Sequence, residues 1–136
     1  MWGHFDMNIL IDHYKNPRHK GVITGPDLAH EVINRKCGDK LSFTARISGD
    51  MLQEISHMGE GCFYCRVSAS IACRNIQGRP INDLKMEIAL IRSWLRDQSG
   101  PEPANPDIRA LGEIKKFPMR IDCVDLAWKG LEEMLR

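Results

Sequence analysis

The sequence lacks the features of a membrane, secreted or nucleic-acid-binding protein. No apolar stretch approaches the roughly 20 residues that a membrane-spanning helix requires. Residues 1–14 mix acidic side chains and histidines with apolar ones, so they do not form the basic start and apolar core of a secretory signal. The chain also lacks a surplus of charge, since 19 Lys and Arg face 18 Asp and Glu. We therefore expect a cytoplasmic protein that uses neither a membrane nor nucleic acid as a partner.

Internal repeats and low-complexity tracts are missing as well. The 136 residues are therefore predicted to form a single domain, 1–136. The five cysteines are an odd number, and thiols stay reduced in the cytoplasm. The cysteines therefore indicate metal or sulfur chemistry rather than disulfide bonds.

The apolar pattern predicts three strands followed by helices. Residues 41–48 alternate between apolar and polar side chains, which is the period of a half-buried strand, and Gly49-Asp50 favours a hairpin turn after it. Flanking strands are predicted at 29–35 and 51–58, and helices at 5–14, 67–76, 84–95, 108–111 and 122–135. This order predicts an α+β fold, a three-stranded antiparallel sheet with helices packed on one face.

Two details of the helical half are also predicted. Asn82 is a typical capping residue and is expected to begin the helix of 84–95. Pro101, Pro103 and Pro106 are expected to form a stiff loop after that helix.

Three cysteines share one kind of position, the junction between two predicted elements. Cys37 ends the first strand just before Asp39, Cys62 follows the third strand after Gly61, and Cys123 lies in the first turn of the last helix. Side chains at such junctions project from rigid ends and can meet in one hollow. With Asp39 as the fourth ligand, three thiolates and one carboxylate suit zinc or an iron–sulfur unit. Because a carboxylate binds a soft metal weakly, we expect an exchangeable site. The spacing alone also leaves open that these are three unrelated structural cysteines.

The remaining cysteines and the histidines carry weaker signals. Cys73 lies in an apolar helical stripe and is interpreted as a core residue. Cys65 forms a Cys-x-x-Cys motif with Cys62, but the motif has no βαβ context, so a spare ligand, a sulfur acceptor and a core residue all stay open. The histidines do not adjoin a cysteine and are interpreted as surface or packing residues: His4, His13, His19, His30 and His57.

Several motifs in order and at consistent spacing resemble those of the U-type iron–sulfur cluster assembly proteins, the NifU/IscU/SufU family. They are Ile11-Asp12-His13-Tyr14-Lys15-Asn16-Pro17-Arg18, Cys37-Gly38-Asp39, Gly59-Glu60-Gly61-Cys62, Ser68-Ala69-Ser70 and Arg120-Ile121-Asp122-Cys123. The resemblance spans nearly the whole chain. Asp122 stands where the IscU branch has a histidine, and a long insertion separates Cys62 from Cys123. Both features are similar to the SufU branch.

The resemblance implies a zinc site of Cys37, Asp39, Cys62 and Cys123, with a SufS-like cysteine desulfurase as the partner that supplies sulfur. It further implies that Cys37 accepts the persulfide sulfur and that Arg120 lies near the site as a catalytic cation. Such a chain is at most a zinc-dependent sulfurtransferase.

Two other functions stay open at this point. In the first, the same ligands hold iron and build a transient [2Fe-2S] cluster that passes to apo iron–sulfur proteins. In the second, zinc is purely structural. Asp122 is expected to place a second carboxylate near the metal, where it would compete with Asp39 or favour iron.

Overall fold

The computed structural model describes residues 2–97 and 101–136. Its helices are α1 (Trp2–Lys15), α2 (Phe63–Ile76), α3 (Ile81–Asp97), α4 (Pro106–Ala110) and α5 (Ile121–Met134). Its strands are β1 (Leu28–Asn34), β2 (Asp39–Ser48), β3 (Met51–Glu60) and β4 (Arg79–Pro80). Two 3₁₀ turns, Leu111–Lys116 and Pro118–Arg120, connect α4 to α5. Within the described residues, no helix is long and apolar enough to cross a membrane.

The strands form one antiparallel sheet in the order β1-β2-β3-β4, so the predicted α+β fold and its meander are confirmed. The prediction of three strands was one short. β4 pairs only Arg79 with Leu52 and Pro80 with Met51. Two residues are too few to show the alternation that identifies a strand in a sequence.

The sheet presents one face to the helices. Leu41, Phe43 and Ala45 of β2 are buried, as their alternation predicts, whereas Ile47 is only half-buried beside a shift in register. Helix α5 lies very close to this face, and Gly130 makes the approach possible. A Cβ atom on Gly130 would lie 2.8 Å from Val32 Cγ1 and 3.0 Å from Phe43 Cε2. This packing fixes the start of α5 at the end of the sheet where β1 turns into β2.

Helix α3 begins three residues earlier than predicted. Ile81 is its first residue, and the Ile81 amide donates to the Asp50 carbonyl at 2.9 Å. The prediction that Asn82 caps this helix was therefore wrong, because Asn82 lies inside the first turn and the β2–β3 turn supplies the acceptor for Ile81.

Helix α4 also begins earlier than predicted. The Asn105 side chain accepts hydrogen bonds from the amides of Asp107 and Ile108, which makes Asn105 the N-cap. Pro106 therefore occupies the first helical position, where proline's missing N–H costs nothing. The prediction that Pro106 belongs to the loop was wrong for this reason.

Candidate metal centre

Cys37 and Asp39 are placed by the tight turn between β1 and β2. Gly38 adopts a left-handed conformation with φ of 74°, and its amide closes the turn by donating to the Asn34 carbonyl at 2.9 Å. A side chain at this φ would be strained, so glycine is needed here. The turn leaves Cys37 exposed, while Asp39, the first residue of β2, is completely buried.

Cys62 and Cys123 begin the two helices that face this turn. Cys62 is the N-cap of α2, and its amide donates to Asp39 Oδ1 at 3.0 Å. Cys123 is the third residue of α5 and is completely buried. The buried carboxylate thus ties the start of β2 to the start of α2, beside the first turn of α5.

Three of the four predicted ligands converge closely. The ligand atoms of Cys37, Asp39 and Cys123 all lie within 4.8 Å of one another, and the two sulfurs are 3.5 Å apart. Two thiolates on one tetrahedral zinc, with Zn–S bonds of about 2.3 Å, would lie about 3.8 Å apart. The Cys62 sulfur lies outside this close group. It is nevertheless near enough to the Cys123 thiol to help raise the pKa of that thiol.

One oxygen of the Asp39 carboxylate has no partner. Asp39 Oδ2 is buried and makes no hydrogen bond to any residue that the structure describes. Such an atom is costly to bury and calls for an explanation. A cation held between this oxygen and the nearby sulfurs would satisfy it, and sulfur with one carboxylate oxygen is a donor set that suits zinc.

The sulfurs differ in their access to solvent. Cys37 is exposed, Cys62 is half-buried and Cys123 is buried. Burial raises the pKa of the Cys123 thiol, and the nearby Asp39 and Cys37 side chains raise it further. The Cys123 and Cys37 sulfurs are in contact. Thiols must lose their protons to bind a metal, so the affinity of this centre for a metal depends on pH.

Arg120 lies at the rim of the centre. It ends the 3₁₀ turn before α5, and its interaction with the Cys123 sulfur, followed by that with the Cys62 sulfur, raises the pKa of its guanidinium. A second neighbour of the centre, Asn34, was not identified from the sequence; its amide nitrogen lies 4.0 Å from the Cys123 sulfur. Asparagine at a strand end is too common to be recognised as part of a site.

Asp122 does not point into the centre, contrary to the expectation that it competes with Asp39. Its Oδ1 accepts a hydrogen bond from Arg96 Nη2 at 3.0 Å, and its Oδ2 lies 4.0 Å from Lys36 Nζ. The two cations hold the carboxylate on the outer side of α5. The physical reason is that Asp122 and Cys123, as neighbours on a helix, project in different directions.

Asp125, one turn further along α5, anchors the same set of charges and was not recognised in the sequence. It is buried and accepts two hydrogen bonds from Arg92, at 2.8 and 2.9 Å, and one from Arg96 at 2.6 Å. Burial opposes the charge of Asp125, but the two guanidinium groups outweigh burial and lower the pKa of this carboxyl. These contacts tie α3 to the first turns of α5 and hence to Cys123.

The two remaining cysteines lie on α2. Cys73 is completely buried in the core, so its interpretation as a core residue is confirmed. Cys65 is completely buried too, and burial, followed by the charge of Asp39, raises the pKa of its thiol to about 12. Cys65 borders the metal centre: a Cβ atom on Gly61 would lie 3.0 Å from the Cys65 sulfur and 2.8 Å from Asp39 Oδ1.

The described histidines lie away from the cysteine cluster. His13 is buried between Ser70 Oγ, at 2.7 Å, and Asp107 Oδ2, at 2.9 Å, and it joins α1 to α2 and α4. His57 bonds the Arg18 carbonyl at 2.8 Å. Both are packing residues, as predicted. His4 lies outside the part of the chain whose side chains are described.

A band of aromatic side chains runs from α1 across the start of α2 to the turn before α5. Its members, which we call the aromatic band, are Tyr14, Phe63, Tyr64 and Phe117. Successive ring centroids are 5.1, 5.2 and 6.4 Å apart. Phe117 is 51% exposed, and Met119 beside it is 90% exposed. Large apolar side chains this exposed, next to Arg120, favour an interaction surface.

Comparison with known proteins places this chain in a family. Residues 6–132 match the model of the NifU-like N terminal domain. The chain is 34% identical over 129 residues to the zinc-dependent sulfurtransferase SufU of Bacillus subtilis, a match that covers 92% of the chain and 85% of that protein. It is 32% identical over 139 residues to the iron–sulfur cluster assembly scaffold protein IscU of Streptococcus pyogenes serotype M1, which covers 98% of the chain and 84% of that protein.

Solved structures agree with these matches. The crystal structure of FiSufU from Fervidobacterium islandicum superposes with a TM-score of 0.86 at 25% identity, and the match covers 94% of each chain. The N-terminal part of a NifU-like protein from Brucella abortus has the same fold, with a TM-score of 0.85, at 17% identity.

Proposed function

Because the chain belongs to the NifU-like N-terminal domain family of iron–sulfur cluster assembly proteins, we propose that it accepts sulfur from a cysteine desulfurase at a zinc site of Cys37, Asp39, Cys62 and Cys123. The observation that carries this proposal is the meeting of the Cys37 and Cys123 sulfurs with a buried carboxylate, one oxygen of which lacks a partner among the described residues. The name of the Bacillus relative, a zinc-dependent sulfurtransferase, supports the same choice.

The four ligands have unequal roles in this proposal. Zinc, when bound, would supply the positive charge that keeps the cysteines as thiolates and protects them from oxidation. Cys123 and Cys62, each at the start of a helix, anchor the site. Asp39 supplies the weakest bond, because a hard carboxylate oxygen suits zinc less well than a thiolate. Among the four, only Cys37 is exposed, whereas Cys62 is half-buried.

Sulfur transfer then follows from the position of Cys37. Cys37 is exposed, so a docked desulfurase would reach it, and Cys37 would act on the enzyme as a thiolate. The thiolate attacks the outer sulfur of the persulfide on the enzyme's cysteine. A new S–S bond forms at Cys37, the S–S bond on the enzyme breaks, and the enzyme's cysteine leaves as a thiolate. No external oxidant or reductant is needed, because the outer sulfur only changes its carrier.

Arg120 assists this exchange as an exposed cation beside the sulfurs. A guanidinium next to a thiolate stabilises the charged form through a charge-assisted hydrogen bond. As Cys37 leaves the site, Arg120 is the cation that accompanies the freed thiolate.

The aromatic band and Met119 form the docking surface in this proposal. They adjoin Arg120 and expose apolar side chains around the entrance to the centre. Aromatic residues, methionine and arginine are enriched at the cores of protein interfaces. A desulfurase seated here would bring its persulfide to Cys37.

A scaffold for a transient cluster is the second candidate, and the name of the Streptococcus relative favours it. In this case iron and sulfide are the cargo of the same four side chains. The ion pair of Asp122 with Arg96 argues for zinc, since it removes the additional oxygen ligand that would favour iron. Anaerobic reconstitution with iron and sulfide separates the two: a scaffold yields a coloured protein that passes its cluster to an apo-ferredoxin, whereas a sulfur acceptor stays colourless and keeps its zinc.

The desulfurase assay tests the proposal directly. Cys37→Ala should leave the protein folded, since residue 37 is exposed in a turn, and should abolish its stimulation of a cysteine desulfurase. Cys73→Ala is the matched control, because it removes a core thiol on α2 and should leave stimulation intact. Full stimulation by Cys37→Ala would disprove the proposal.

A further inference from the structure

A cleft lined by basic side chains lies beside Cys37 and takes no part in the proposed metal site. Its volume is about 290 Å³, and it runs between the end of β1 with the turn that follows and the outer side of α5. We call it the basic cleft, because four cations and two carboxylates line it: Arg35, Lys36, Arg96, Lys129, Asp122 and Asp125. The whole chain has a net charge of only +1, so the positive surplus at this cleft is local.

Both carboxylates of the basic cleft are already paired with arginine. Asp125 is 1% exposed and accepts hydrogen bonds from Arg92 at 2.8 and 2.9 Å and from Arg96 at 2.6 Å. Asp122 accepts from Arg96 at 3.0 Å. These contacts hold the Arg96 guanidinium in place and leave neither carboxylate to neutralise the remaining cations.

The other three cations of the cleft are exposed. Lys36 is 85% exposed, with its Nζ 4.0 Å from Asp122 Oδ2. Among the residues that the structure describes, neither Arg35 nor Lys129 forms a salt bridge. Ile33, a large apolar side chain that is 48% exposed, lines the cleft with them. Uncommitted cations around an exposed apolar side chain fit an acidic protein surface.

The basic cleft adjoins the exposed thiol of the metal centre. Lys36 directly precedes Cys37 in the turn after β1, and Asn34, which also lines the cleft, lies 4.0 Å from the Cys123 sulfur. The aromatic band borders the centre too but shares no residue with the cleft. A partner that reaches Cys37 therefore has two separate surfaces to contact, one apolar and one basic.

We propose that the basic cleft binds an acidic segment of the cysteine desulfurase and thereby orients the enzyme over Cys37. The inference rests on the proposed function and adds a second contact to it. Opposite charges across an interface speed the encounter and fix the register of the two partners. Arg35 offers a planar guanidinium that can hold a carboxylate by two hydrogen bonds, and Lys129 offers a second charge across the cleft.

Stimulation of a SufS-like cysteine desulfurase, measured against the concentration of the zinc-loaded full chain at several salt concentrations, tests the proposal. In the wild type, the concentration that gives half-maximal stimulation should rise with salt, because salt screens exposed charges. Arg35→Glu and Lys129→Glu should each raise it about tenfold at low salt, since attraction becomes repulsion. Both should weaken its salt dependence and keep the maximal stimulation.

Lys85→Glu is the matched control for Lys129→Glu. Lys85 is an exposed lysine of α3, and the first residue of that helix bonds Asp50, at the opposite end of β2 from Asp39. It makes the same change of charge far from the cleft and should leave the half-maximal concentration unchanged. Arg35→Gln and Lys129→Gln remove the charge without reversing it, so they should give a smaller rise and serve where a reversed charge harms folding.

An unchanged half-maximal concentration in the Arg35 and Lys129 variants, or one that does not depend on salt in the wild type, would overturn the acidic contact. A lower zinc content or lower maximal stimulation at an unchanged half-maximal concentration would overturn it as well, because the cations would then act on the centre and not on docking. An equal rise in Lys85→Glu would do the same. If the wild type did not stimulate the desulfurase, the proposed function itself would fail, and this result needs no variant.

Discussion

Asp39 receives the amide hydrogen of Cys62 on one carboxylate oxygen, at 3.0 Å, while its other oxygen is buried without a partner. One half of the carboxylate therefore orders the start of α2, and the other half is available for a cation. The arrangement costs stability when the centre is empty, because an unsatisfied buried oxygen has lost its water.

The substitution Asp39→Asn tests the roles of the two carboxylate oxygens separately. The amide oxygen of asparagine can still accept from Cys62, but its NH₂ group replaces the free oxygen and cannot bind a metal. We expect the metal-free variant to be at least as stable as the metal-free wild type, with a gain of up to about 1–3 kcal/mol from removing the unpaired oxygen. We also expect zinc to raise its stability by much less.

Urea unfolding with and without zinc measures both quantities, since the stabilisation of the folded state by a ligand grows with the logarithm of its concentration divided by its Kd. Equal stabilisation by zinc in the variant and the wild type would mean that Asp39 is not a ligand.

Gly61→Ala should damage the centre more than the fold. Its new Cβ would lie 2.8 Å from Asp39 Oδ1, so the carboxylate must move and zinc affinity should fall. Gly130→Ala is the matched control, because there the Cβ meets Val32 and Phe43 in the core and should lower stability without a specific loss of zinc. Competition with a chelator measures the zinc affinity of both variants, and thermal unfolding measures their stability. The prediction would be wrong if Gly61→Ala bound zinc as tightly as Gly130→Ala does.

Arg120→Ala should weaken sulfur transfer without emptying the site. The cation interacts with the Cys123 sulfur, so its loss should raise the pKa of the Cys123 thiol further in the metal-free protein. Arg120→Lys keeps the charge and should restore part of the effect. A titration followed by the ultraviolet absorbance of thiolate should move to higher pH in Arg120→Ala, and an unchanged titration would show that the guanidinium does not act on this sulfur.

Asp125→Asn tests the charges that hold α5 against α3. The folded state lowers the pKa of this carboxyl below its ordinary value of 3.8, so the stabilisation is present above that value and is lost as the pH falls through the lower, folded pKa. We expect a loss of about 3 kcal/mol at neutral pH, because one partner of a buried pair is removed. The difference from the wild type should shrink as the pH falls below the ordinary value of 3.8.

Asp122→Asn is the control for this prediction. Asp122 also binds Arg96 but is 42% exposed, so its loss should cost at most about 1 kcal/mol. If the loss of stability in Asp125→Asn did not depend on pH, the packing of the new side chain rather than the lost charge would account for it.

The regular parts of this fold were predictable from the sequence because they repeat a pattern. The alternation in 41–48 and the apolar stripe of α5 each fix one buried face, and β2 and α5 lie where these patterns place them. β4 was missed because two residues repeat nothing. The cap at Asn105 was missed because the sequence does not show which backbone amides its side chain will face. That depends on the path of the chain after Asn105.

The centre divides in the same way. The positions of Cys37, Asp39 and Cys123 at the ends of elements predicted that they meet, and the structure brings these three together. The direction of Asp122 was not predictable, because Arg96, which holds it, lies 26 residues away in sequence. The place of a residue in a motif does not show which side chains of a distant helix it will contact.

The location of the transferred sulfur tests the central claim most directly. Zinc-loaded protein is incubated with a cysteine desulfurase and cysteine, its free thiols are blocked, and the peptides are analysed by mass spectrometry without reduction. The account predicts the added mass of one sulfur atom on the peptide that contains Cys37, and no such addition in Cys37→Ala. Persulfide sulfur on Cys62, Cys65 or Cys123 of the wild-type protein, with Cys37 unmodified, would contradict it.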